Sequence, residues 1–183
     1  IPHLVHNNVN ITDFKYKADL FNSHFSKQCS LIDNDSTLPL TSFFPLTHPA
    51  LSSFVIDGDS ILILIRSLDI HKSHGFDNIS IRMLKLCESS IVKPLMLIFN
   101  NSLSQGLFPK PWKKANVTPI HKKGGDKTDV TNYRPISVLP ICGKIFERVI
   151  FDSLYNYFEK NNILNPNQSG FRVRDSCINQ LIS

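Results

Sequence analysis

The sequence predicts an α+β fold, because the hydrophobic period changes along the chain. Apolar residues recur at three- and four-residue steps before Trp112 and after Gly143, whereas Val117 to Lys123 and Tyr133 to Leu139 alternate like strands. Pro119 and Pro135 fall inside the two alternating runs. A residue without an amide hydrogen restricts a strand to an edge or to an isolated ribbon. The expectation is therefore a helix-rich chain from which one β-hairpin projects, with no internal repeat.

The elements follow in order. Thr12 is placed to cap a first helix on which Phe14, Ala18, Phe21 and Phe25 share a face, ending near Gln28. Leu31 to Phe54 is rich in Ser, Thr, Pro and Asp, and Pro39, Pro45 and Pro49 oppose a regular helix there. Residues 1–56 are accordingly read as an N-terminal helix and linker, and residues 57–183 as a second region. Asp57 or Asp59 caps a short helix through Ser60 to Leu68, followed by a turn from Lys72 to Asn78. In that turn Asp77 reads as a capping or turn residue rather than a metal ligand.

A third helical region starts near Ile81, with Met83, Leu84 and Leu86, and Pro94 is expected to divide it. Its second part carries Leu95, Ile98, Phe99 and Leu103 to Gly106, a C-terminal stop. The two strands come next, joined by Gly124 to Asn132, which is expected to be a mobile tip. Gly143 to Leu164 is the strongest amphipathic helix, through Ile145, Phe146, Val149, Ile150, Leu154, Tyr157 and Phe158. Pro166 ends it, and another helix is expected to start at Ser176.

Composition narrows the function classes. With 183 residues, 42% apolar and 19% charged, the chain can fill a core, so wholesale disorder is excluded as the default. No apolar run approaches the about 20 residues of a membrane span, so no membrane partner is expected. Cys29, Cys87, Cys142 and Cys177 lie far apart without a C-x-x-C pair. They are expected to be reduced, mostly buried thiols of an intracellular protein, in nucleus or cytoplasm. His71 and His74 stand three apart, but no further ligand completes a site, and no structural zinc is expected. The chain begins with Ile1 and carries no targeting pattern, and is expected to be an internal piece of a longer polypeptide.

The net charge of +5 is unevenly distributed. Residues 1–109 hold eight basic and nine acidic side chains, whereas residues 110–183 hold twelve and six. Lys110, Lys113, Lys114, Lys122, Lys123, Lys127 and Arg134 oppose only Asp126 and Asp129 within one short stretch. Such a field suits phosphate-bearing ligands, although a solvated basic face has the same composition.

Alternation puts Thr118, Ile120 and Lys122 on one face of the first strand, and Arg134, Ile136 and Val138 on one face of the second. If Ile120 and Ile136 pack on the body of the domain, Lys122 and Arg134 extend from the same surface nearer the tip. A lysine point charge and an arginine fork so placed could grip a triphosphate. An edge ribbon kept soluble by lysine has the same pattern. Trp112 reads as a core or hinge aromatic.

Several ordered segments carry a resemblance. They are His74-Gly75-Phe76-Asp77-Asn78-Ile79, Gly106-Leu107-Phe108-Pro109 with Trp112-Lys113, and Val117-Thr118-Pro119-Ile120-His121-Lys122-Lys123-Gly124. Asn132-Tyr133-Arg134-Pro135-Ile136-Ser137-Val138-Leu139 follows, with Lys144 and Glu147, and then Gln168-Ser169-Gly170-Phe171-Arg172 with Ser176. From about residue 57 onward the chain resembles the N-terminal part of reverse transcriptases of non-LTR (LINE-type, jockey-like) retrotransposons. The helix around Asp19 to Phe25 is similar to the segment that such proteins carry between endonuclease and polymerase. Phe76 stands where Pro is common, and Ser169 replaces a bulkier residue.

The resemblance implies the fingers of a right-hand RNA-directed DNA polymerase, with the start of the palm. It implies nucleotide-binding roles for Lys122, Lys123 and Arg134, and template or primer contacts for Gln168 and Arg172. Lys113 and Lys114 are further candidates for nucleic-acid contact. The implied partners are an RNA template with a DNA primer, the incoming dNTP, the palm and thumb, and an upstream endonuclease. The intact enzymes of the family use Mg²⁺ held by palm aspartates. This chain has no adjacent Asp-Asp pair, and its last carboxylate is Asp175. The palm catalytic strands are expected to be absent and the first catalytic aspartate to lie beyond Ser183. No catalytic residue, metal ligand or cofactor is therefore assigned to the chain, and it is expected to be inactive alone. A non-catalytic nucleic-acid-binding module, or a decayed fragment without a selected role, remains open beside this reading.

Overall fold

The computed structural model describes residues 1–30, 51, 54–165, 168–170 and 172. Among these the fold is α+β, with five α-helices and two two-stranded antiparallel sheets. The Leu31–Phe54 connection falls largely, and Pro166, Cys177 and the helix start at Ser176 wholly, outside the described residues. The chain divides into two compact units, the first formed by residues 1–43, 69–83 and 108–141 and the second by 44–68, 84–107 and 142–183.

The first unit opens with a hairpin that was not expected from the sequence. Strands β1 (Leu4–His6) and β2 (Val9–Ile11) pair with Leu4 opposite Ile11. Asn7 and Asn8 form the two-residue turn with φ of 52° and 63°, the left-handed conformation that a tight hairpin requires and that asparagine tolerates. Helix α1 (Phe14–Cys29) follows. Its cap is Asp13 rather than Thr12, and the carboxylate accepts the Tyr16 amide hydrogen at 2.8 Å.

On α1, Lys17, Phe21 and Phe25 are buried at four-residue steps, whereas Phe14 is exposed. Lys17 places its ammonium 3.3 Å from the Ile1 carbonyl oxygen and 5.3 Å from the Phe14 ring centre, so the buried charge keeps polar company. Leu4, Ile11, Phe21, Phe25 and Tyr133 form one apolar cluster, with Leu20 and Val130 packed on it.

Strands β3 (Asn116–His121) and β4 (Tyr133–Val138) make the predicted hairpin. Pro119 lies opposite Pro135, so the two residues that lack an amide hydrogen face each other in a ribbon that has two strands among the described residues. The turn before α3 lies close by. Asn78 donates its amide to the Gly75 carbonyl at 3.3 Å, and Asp77 accepts from the Ile79 amide at 3.2 Å. This is the turn role expected of Asp77.

In the second unit, α2 (Gly58–Ser67) is capped by Asp57, which accepts from the Ser60 amide at 2.7 Å and its hydroxyl at 2.9 Å. These bonds hold the Asp57 carboxyl below its ordinary range. Helix α3 (Ile81–Leu86), whose first three residues belong to the first unit, is short, and the break before α4 (Glu88–Gln105) comes at Cys87 rather than at Pro94. Pro94 sits in the second turn of a continuous helix. One internal hydrogen bond is lost there, and burial of Leu95 and Phe99 offsets it. Gly106 ends α4 with φ of 62°, and its amide donates to Leu103.

Helix α5 (Ile141–Lys160) buries Ile145, Phe146 and Val149. Phe146 stacks on Phe99 of α4 with ring centres 4.8 Å apart. Asn100 ties α4 to the segment before α2, giving and receiving hydrogen bonds with the Ile56 backbone at 2.8 and 2.9 Å. The cysteines differ from expectation. Cys142 is buried, but Cys29 and Cys87 are exposed.

Candidate nucleotide-binding hairpin

The register of the ribbon decides which side chains share a face. Thr118 lies opposite Ile136 and Ile120 opposite Arg134, so these four stand together. The other face carries Val117, Pro119 and His121 opposite Ser137, Pro135 and Tyr133. This second face is the one turned towards α1. Val117, Pro119, Pro135 and Ser137 line a groove of about 720 Å³ with Phe14, Ala18, Phe21 and Phe25. Tyr133 is only 3% exposed.

The condition that Ile120 and Ile136 pack on the domain is not met, since each is 49% exposed. The physical reason is that Tyr133 reaches the cluster on α1, which sends its neighbour Arg134 and the two isoleucines to the opposite side. Lys122 extends the ladder by one bond beyond β3, its amide donating to the Asn132 carbonyl at 2.8 Å. Its ammonium donates to the Thr131 carbonyl at 2.8 Å. Lys123 is exposed in the turn beyond it.

The connection, expected to be a mobile tip, carries hydrogen bonds of its own. Asp126 accepts from the Thr128 amide at 2.8 Å, and Asp129 accepts from the Thr131 amide and hydroxyl at 2.8 and 2.7 Å. These bonds hold both carboxyls below their ordinary range. Asn132 donates to the Asp126 carbonyl at 3.1 Å, and Tyr133 donates its hydroxyl to the Lys127 carbonyl at 2.7 Å.

The only two acids of the basic stretch are thus occupied with their own loop. Among the described residues, the ion pairs are Lys15–Asp19, Arg66–Glu88, Arg148–Asp152 and Arg172–Glu159. None involves Lys113, Lys114, Lys122, Lys123 or Arg134. Cations without an acidic partner among the described residues leave an electrostatic field open to an anion. An exposed guanidinium beside two exposed isoleucines can offer paired hydrogen bonds and an apolar surface together.

The other candidates divide between the units. Lys113 ends a short 3₁₀ turn (Lys110–Lys113), and Lys114 lies 5.8 Å over the Phe76 ring. Trp112 meets Phe108 edge-on at 6.1 Å and is half-buried, in keeping with a packing role. Gln168 donates to the Gly170 carbonyl at 3.1 Å. Arg172 places Nη1 3.2 Å from Glu159 Oε1, in an ion pair whose angle is not that of a hydrogen bond. Lys113, Lys114, Lys122, Lys123 and Arg134 therefore share the first unit, and Gln168 and Arg172 belong to the second.

The chain corresponds to a region of the RNA-directed DNA polymerases of mobile elements. Its relatives within that class are the jockey-like polymerases of non-LTR retrotransposons. It is 40% identical over 142 residues to the RNA-directed DNA polymerase from mobile element jockey of Drosophila melanogaster, covering 78% of this chain and 15% of that protein. Against the probable RNA-directed DNA polymerase from transposon BS of the same species it is 37% identical over 123 residues, 67% of this chain and 14% of the relative. The jockey polymerase of Drosophila funebris matches over 169 residues at 28% identity, 90% of this chain and 18% of the relative. The chain thus spans less than a fifth of the length of these relatives. No protein-family model matches it.

Proposed function

We propose that this chain is the part of a retrotransposon RNA-directed DNA polymerase that grips the incoming nucleotide, the fingers of a right-hand polymerase with the start of the palm. The observation that carries the reading is Arg134, exposed opposite Ile120 on a braced ribbon with no acidic partner among the described residues. Arg134 binds the triphosphate by directional paired bonds, and Lys122 and Lys123 add point charge near the turn. Lys113 and Lys114 attract nucleic acid, and Gln168 and Arg172 contact template or primer in the assembled enzyme. The intact enzyme would draw Mg²⁺, palm, thumb and an endonuclease from the rest of a longer polypeptide.

The chain carries no adjacent aspartate pair, and by itself it binds without polymerising. The test measures binding of a fluorescent dNTP, with and without Mg²⁺, to the chain and to Arg134→Ala. A charge-assisted hydrogen bond is worth about 1.5–3 kcal/mol, so affinity should fall about 10- to 100-fold. Unchanged affinity removes Arg134 from the site, and primer extension on an RNA template by this chain overturns the claim of inactivity.

A further inference from the structure

Tyr133 precedes Arg134, and strand alternation sends the two side chains to opposite faces of the ribbon. The Tyr133 ring meets Phe21 of α1 edge-on at 4.9 Å and His121 of β3 at 5.2 Å. Its hydroxyl reaches past the cluster to the tip and donates to the Lys127 carbonyl at 2.7 Å. Burial pushes the phenol above its ordinary pKa, so the hydroxyl keeps its proton across the working range. The next carbonyl of the tip, that of Thr128, accepts the Val5 amide hydrogen of β1 at 2.8 Å. Two successive carbonyls are therefore fixed by donors behind the ribbon. Leu4, which precedes Val5, is buried beside Tyr133 in the same cluster.

The consequence concerns the cations on the other face. The tip runs from Lys122 to Asn132, and Arg134 follows its far end by two residues. Carbonyls 127 and 128 belong to the same closed loop as the cations, because the Asn132 carbonyl receives the Lys122 amide and the Thr131 carbonyl receives its ammonium. Preorganisation of this kind raises affinity by removing the entropy of ordering the site on binding.

We propose that Tyr133 and Val5 are positioning residues for the triphosphate site. The N-terminal hairpin and α1, which precede the polymerase-like region, act as a brace that holds the cationic face in its binding geometry. This inference rests on the nucleotide-binding reading of Arg134. Neither residue touches the ligand. Tyr133 acts through the Lys127 carbonyl, and Val5 acts through the Thr128 carbonyl.

The test uses the full chain and compares a fluorescent dNTP with the corresponding monophosphate, alongside amide hydrogen exchange. Tyr133→Phe deletes one hydroxyl and keeps the ring. It should weaken triphosphate binding about 3- to 10-fold, the worth of one neutral hydrogen bond, while leaving monophosphate binding unchanged. Amides 126–131 should exchange faster, and those of α5 should not. A purely stabilising role would change neither the ratio of the two affinities nor the exchange of this loop alone.

Val5→Pro removes the other donor and should act in the same direction. If Tyr133→Phe and Val5→Pro keep the triphosphate affinity of the parent while Arg134→Ala loses it, the brace is refuted and the nucleotide site stands. If Arg134→Ala also binds normally, both fall together.

Discussion

Replacing Gly75 by alanine tests the packing of the turn that opens the polymerase-like motifs. A Cβ at Gly75 would stand 2.5 Å from the Pro140 nitrogen, 2.7 Å from its Cα and 2.8 Å from the Leu139 carbonyl carbon. Ordinary contact begins at 3.4 Å. Backbone atoms would therefore have to retreat by about 0.6 to 0.9 Å, and Pro140, which follows β4 along the chain, is fully buried. Overpacking against atoms that cannot rotate away costs about 1–3 kcal/mol. In a chain of this size that lowers the melting temperature by about 2–12 °C.

Thermal unfolding followed by circular dichroism measures the shift, and Gly106 supplies the control. There a Cβ meets nothing within 4 Å, but φ is 62°. Gly106→Ala should accordingly cost about 1 kcal/mol through backbone strain alone. Asparagine tolerates that conformation, so Gly106→Asn should recover most of the loss, whereas Gly75→Asn should recover none. A Gly75→Ala protein that melts with the parent, or a Gly75→Asn protein better than Gly75→Ala, would refute the close approach of the turn to Pro140.

Three further outcomes are expected. Phe99→Ala removes a fully buried ring stacked on Phe146 and should cost about 3–5 kcal/mol in urea unfolding, with no comparable loss for Phe14→Ala. The Asp126 and Asp129 carboxyls titrate below their ordinary range in the folded chain. Their ionised forms therefore support the loop above about pH 4, and that support is lost as pH falls through the lowered folded values. Exchange of amides 126–131 should accelerate in that acid window, and Asp126→Asn should flatten the step. Single-stranded nucleic acid should bind with a steep salt dependence, and Lys113→Ala with Lys114→Ala should reduce the log–log slope by about 1.4 if both contact phosphates.

Much of this chain was legible because its local signals act within a few residues. Asp57 was readable, beside Asp59, as one of two candidate caps before an apolar run, and Gly106 as a C-terminal stop. The change from helical spacing to alternation located β3 and β4, and the two prolines limited them to a ribbon. Alternation also put Ile120, Ile136 and Arg134 on one face, as the register has it. The β1–β2 hairpin had a usable signal, since Asn7-Asn8 between two short apolar runs suits a two-residue turn. Pro94 misled because its rule is local, whereas the burial of Leu95 and Phe99 holds the helix through it.

The sequence alone therefore determined the β3–β4 ribbon and most of the helices, the concentration of cations in the hairpin and the kinship with jockey-like polymerases. It did not determine which face of the ribbon turns towards α1. Both faces carry apolar residues, Ile120 and Ile136 on one and Val117, Pro119 and Tyr133 on the other, so alternation is nearly symmetric between them. Only the tertiary cluster of Tyr133 with Phe21, Phe25, Leu4 and Ile11 breaks that symmetry. Burying a large aromatic against four apolar partners outweighs leaving two isoleucines half in water, and it is this choice that turns Arg134 outwards.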